Sequence, residues 1–124
     1  MNSFDYTNSS DLERLRLALV TTSDHDRAMI VAFCMTSGLM LPKGFAMRWL
    51  WWVSRKNRFV KMTAALTHPK TKPLLDDMWR ETINWMVAGK DQNDPKSAGG
   101  WNSNELNLFV EFLRFIGVFR RRAA

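Results

Sequence analysis

Apolar positions recur at helical spacing along most of the chain, and no segment alternates apolar and polar residues long enough to suggest a strand. Ser10 and Glu13 have the spacing of a capping box. Leu12, Leu15 and Leu19, with Leu17, then supply the apolar face of a first helix that should stop near Thr21 and Thr22. Ser23 is placed to cap a second helix. Asp24 and Asp26 in its first turn suit the positive end of the helix dipole. That helix continues through Met29, Ile30, Phe33 and Cys34, and Gly38 offers a left-handed exit.

Pro42 suits the first turn of a third helix over residues 42–66, with a kink expected near residues 54–57. A basic loop bounded by Pro69 and Pro73 follows. The fourth helix is expected over residues 73–88, with Leu74, Leu75, Met78, Ile83, Trp85, Met86 and Val87 as its apolar positions. Residues 89–101, rich in Asp, Asn, Pro and Gly, read as a flexible connection. Asn102 and Glu105 then form a second capping box, and Trp101 can staple onto Leu106. Leu106, Phe109, Val110, Leu113 and Ile116 make the inward stripe of a fifth helix. The pattern predicts one all-α domain, a compact bundle of about five helices with no sheet. Residues 1–9 are its N-terminal extension and residues 120–124 a basic tail.

Length and composition fit this reading. A chain of 124 residues with 46% hydrophobic and 24% charged residues can bury a core of its own. Cys34 is the single cysteine, so no intramolecular disulfide is possible. Its apolar surroundings in sequence mark a buried structural thiol and suit a reducing, cytoplasmic setting. The polar, acidic N-terminus lacks the form of a secretory signal. The longest apolar run is too short to span a bilayer.

Charge changes the picture more than composition does. The net charge is +6. Residues 1–42 contribute −2, residues 43–72 contribute +8, residues 73–119 contribute −3, and Arg120, Arg121 and Arg122 add +3. Thirty residues from 43 to 72 contain no carboxylate. Such a stretch favours an anionic partner unless acids elsewhere in the fold neutralise it.

Catalytic and ligand-binding patterns are few. Neither His25 nor His68 belongs to a cluster with metal-ligand spacing. Asp77 and Glu81 share a helix face but are too few for a calcium site, and helix-start electrostatics accounts for the acids near Pro73. No phosphate-binding glycine loop, nucleophile elbow or dinucleotide fingerprint is present. The sequence therefore predicts no enzyme, no metal, no cofactor and no small-molecule substrate.

The third helix carries the candidate binding face. On one continuous wheel Ala46, Trp49, Leu50, Val53, Val60 and Ala64 gather on one side and read as core. Arg48, Trp52, Arg55 and Phe59 form a second stripe in which cations and aromatics alternate, flanked by Lys56 and Arg58, with Lys61 farther round. Lys70 and Lys72 in the next loop, and Arg120, Arg121 and Arg122, would extend it. The plain reading is a core boundary with arginines lying over aromatic rings. The functional reading is a surface whose cations neutralise phosphates and whose rings stack on unpaired bases.

Two functions are compatible with that stripe. The first is a non-catalytic protein that binds nucleic acid (RNA or DNA), or a small subunit of a nucleoprotein complex. The second is a protein–protein adaptor or inhibitor, of the kind a phage or mobile element encodes, docking this face on an acidic partner. Membrane attachment is not expected, because Trp49, Trp51 and Trp52 spread around the helix instead of marking one face.

Overall fold

The computed structural model describes residues 9–39, 57–87 and 103–120. Among these the chain forms five α-helices and no strand: α1 (Ser9–Val20), α2 (Asp24–Thr36), α3 (Arg58–Leu66), α4 (Lys72–Val87) and α5 (Ser103–Phe115). A short 3₁₀ turn, Pro69–Thr71, joins α3 to α4. The protein is all-α, as its periodicity predicts.

The helix starts and stops follow local chemistry. The Ser23 side chain accepts the Asp26 amide at 3.2 Å and caps α2, with Asp24 and Asp26 in the first turn. Gly38, at φ +80°, takes the left-handed position after that helix. Helix α1 begins at Ser9, so Ser10 lies inside its first turn rather than ahead of it. Helix α4 begins one residue before Pro73, where a missing amide hydrogen costs no intrahelical bond. Trp101 and Asn102, and the connection over residues 89–101, lie outside the described residues.

Helix α2 is the centre of the fold. It packs against α3 and α4 and touches α5. Ala28, Ile30, Val31, Ala32 and Cys34 are fully buried along it. They meet Leu15 and Leu19 of α1, Met62 and Leu66 of α3, Leu75 and Met78 of α4, and Phe109, Val110 and Leu113 of α5 in one apolar cluster. Cys34 is the buried thiol expected, and desolvation pushes its ionisation well above the ordinary thiol range. Thr82 is also fully buried, and its hydroxyl donates to the Met78 carbonyl at 2.7 Å, so no polar atom is stranded there.

Two sequence expectations about faces are corrected. Leu17, assigned to the apolar face of α1, is 60% exposed. On α3, Val60 and Ala64 were expected in the core, yet both are exposed, while Met62 and Leu66 are buried and Phe59 packs against the cluster. The cause is Asn57. It stands at φ 54° and ψ 47°, in the left-handed region, as the residue that caps α3. A left-handed residue ends helical phase, so a wheel drawn through it rotates every later side chain onto the wrong face.

The basic loop between α3 and α4 is an ordered turn. The His68 Nδ1 accepts the Lys70 amide at 3.1 Å. The Thr71 hydroxyl lies 2.6 Å from the Ala65 carbonyl and 2.8 Å from that of His68. These bonds satisfy backbone groups that the end of α3 leaves open.

Candidate functional site

The acid-free stretch reaches the described part of the chain at α3. This helix has no acidic residue in its first turn, and Asn57 makes no side-chain capping bond. Arg58 and Lys61 therefore sit at the positive end of the helix dipole with no carboxylate of their own helix to offset them. Lys61 is exposed, as is Lys70 on the 3₁₀ turn, and neither ammonium has an ion-pair partner among the described residues. Arg58 is half-buried.

Other members of the expected face have different roles. Phe59 is not an exposed stacking surface. Its ring meets Phe112 of α5 edge to face, with centroids 5.8 Å apart and planes at 80°. Phe112 in turn stacks on Phe33 of α2 at 4.0 Å. The three rings join α2, α3 and α5, and such pairs add about 0.5–1.5 kcal/mol each beyond the area they bury. Lys72 is neutralised: its ammonium lies 2.7 Å from Asp76 and 3.1 Å from Asp24. Hydrogen bonds to Asp76 first and Asp24 second hold it protonated above the usual lysine range. Arg48, Trp52, Arg55, Lys56, Arg121 and Arg122 lie outside the described residues, as do Trp49, Trp51 and Val53.

A second cationic and aromatic cluster lies at the end of α5. Gly117, at φ +81°, terminates the helix by donating to the Arg114 carbonyl at 3.1 Å, while the Val118 amide reaches back to Leu113 at 2.8 Å. This reversal carries Phe119 into the core, 3% exposed, with two guanidinium groups near its ring. Arg14 lies 4.9 Å from its ring centroid and Arg114 lies 5.6 Å away. Arg14 also donates to Asp11 at 3.2 Å and to the Arg120 carbonyl at 2.8 Å, which ties α1 to the start of the basic tail. Arg114 is held by Glu111. The Arg120 side chain is exposed. Beside it an open cleft of about 540 Å³ is lined by Glu111, Arg114, Phe115, Gly117, Phe119 and Arg120.

Both histidines face a different cleft, of about 490 Å³, with Asp24, Lys72 and the apolar side chains of Leu66, Pro69 and Leu75. Three of its polar side chains, Asp24, His68 and Lys72, already have structural work. Asp24 pairs with Lys72 and approaches Arg27 at 3.7 Å, and His68 caps the 3₁₀ turn. A neutral His68 that accepts at Nδ1 carries its proton on Nε2. Among the described residues no group of three or more His, Cys, Asp or Glu side chains could hold a metal ion. No helix among them is long and apolar enough to cross a membrane.

Sequence reasoning missed Phe115, which is 86% exposed. The signal was present. At about 100° per residue Phe115 falls roughly 180° from Leu106, on the face opposite the buried stripe. Comparison with protein-family models, with curated proteins and with solved structures gives no match.

Proposed function

We propose that this chain is a non-catalytic, basic helical protein that binds nucleic acid, alone or as a small subunit of a nucleoprotein complex. The observation that carries this reading is the start of α3, a helix end without a side-chain cap or an acid of its own, where exposed Lys61 has no ion-pair partner among the described residues. Cations at that position weaken the helix, and a bound phosphate would relieve the repulsion. Exposed Lys70 follows nine residues later on the 3₁₀ turn past the other end of α3, and Arg48, Arg55 and Lys56 precede in the same acid-free stretch of sequence. Backbone neutralisation by these groups, with stacking by Trp52, gives binding with little sequence preference. Phe59 and Lys72 are not part of the proposed surface, since one packs inward and the other is ion-paired.

The test is titration of fluorescein-labelled single-stranded and duplex oligonucleotides across a salt series. Affinity should fall steeply as salt rises, and R55E with R58E should abolish binding at moderate salt. Absence of binding by the wild-type protein at low salt would overturn the proposal.

A second reading, docking of the same basic face on an acidic protein, draws on exposed Lys61 and Lys70, which have no ion-pair partner among the described residues. Recovery of one stoichiometric acidic protein after nuclease treatment, together with no oligonucleotide binding, would favour it.

A further inference from the structure

We propose that Phe115 and Arg120 form a second contact point for the nucleic acid, at which one unpaired base stacks on the Phe115 ring and its phosphate meets Arg120. This rests on the nucleic-acid reading above and makes it more specific, because it requires a single strand.

Four features converge on the site. Phe115 is the most exposed of the large apolar side chains described, and it lines an open cleft with Arg120. The cleft's volume, about 540 Å³, falls within the roughly 300–1,000 Å³ range of small-ligand pockets and suits one nucleotide unit. The wall is fixed before any ligand arrives. The turn at Gly117, the burial of Phe119 with Arg14 and Arg114 near its ring, and the bond from Arg14 to the Arg120 carbonyl hold the backbone around Phe115 in one arrangement. A platform ordered in advance loses little entropy on binding.

The charges select the ligand. Arg14 pairs with Asp11 and Arg114 with Glu111, so the acids near the cleft are already neutralised. Arg120 projects from this background as an exposed cation, and Arg121 and Arg122 follow it in sequence. An aromatic face beside a guanidinium is the pairing that binds unpaired nucleotides, because every base offers a π face and every linkage an anion. In a duplex the bases are already stacked on one another, so the ring has nothing to engage. An acidic peptide would satisfy Arg120 but leave the ring without a flat partner.

The experiment compares wild type, F115A, F115L and R120Q for binding to a fluorescein-labelled 15-mer of oligo(dT), to a duplex of the same length, and to a polyglutamate peptide, all at low salt. Phe115 is a surface side chain, so the variants should keep the wild-type circular dichroism and melting temperature. F115A and F115L should both bind oligo(dT) about ten-fold more weakly while duplex binding stays within about two-fold. R120Q should weaken both and flatten the salt dependence. Equal oligo(dT) affinity for wild type and F115A would overturn the stacking contact and leave the α3 reading standing. Failure of the wild type to bind either nucleic acid would overturn both. Tighter binding to polyglutamate than to oligo(dT), lost in F115A, would assign the cleft to an acidic peptide and overturn the proposal.

Discussion

Phe59 meets Phe112 edge to face across the junction of α3 and α5, with ring centroids 5.8 Å apart. A residue that belongs to a cation–aromatic stripe on a continuous wheel is therefore a packing element. F59A should destabilise the protein by about 2 kcal/mol, below the loss for a fully buried ring because Phe59 is only half-buried. Urea denaturation measures this, and oligonucleotide affinity under native conditions should be unchanged. A large loss of affinity without loss of stability would return Phe59 to the binding surface.

Lys61 and Lys70 are exposed cations without ion-pair partners among the described residues, whereas Lys72 is held by Asp76 and Asp24. Each phosphate contact removed should lower the slope of log affinity against log salt by about 0.9. K61E with K70E should therefore flatten that slope by about two, and K72Q should leave it nearly as in the wild type. The contrast reads which lysines reach the ligand.

Gly117 needs its positive φ, and a Cβ added there would meet no atom within 4 Å. G117A should cost about 1 kcal/mol through backbone conformation alone. It should also loosen the reversal that buries Phe119, visible as faster amide exchange at Val118 and Phe119.

Cys34 is fully buried, and desolvation raises its pKa. The folded thiol stays protonated where the unfolded thiol ionises, so stability is complete below the ordinary thiol pKa of about 8.5 and declines as pH rises above it. A disulfide reagent at pH 8 should leave Cys34 unlabelled in the native protein and react fully in urea. Rapid native labelling would contradict its burial.

Much of the fold is legible in the sequence because its signals are local. Ser23 caps α2 through an amide three residues on, Gly38 supplies left-handed backbone, and the stripe from Leu106 to Leu113 is an uninterrupted helical repeat. The acid-free stretch of residues 43–72 is likewise plain from composition.

Three assignments depended on tertiary structure. Asn57 adopts the left-handed region just before α3, so the faces of α3 cannot be carried over on a wheel from the residues that precede it. Lys72 is neutralised in part by Asp24, 48 residues away, so a count of charges along the chain overstates the local positive field. Phe112 and Phe59 are spent in packing, Phe112 against both Phe33 and Phe59, a choice set by where α2 and α3 lie against α5. Sequence alone determined the helices and the sign of the charge, since those follow from neighbours a few residues apart. Which aromatic and basic groups are left over for a partner was decided only when distant segments packed, because packing and ion pairing consume side chains regardless of their order in the chain.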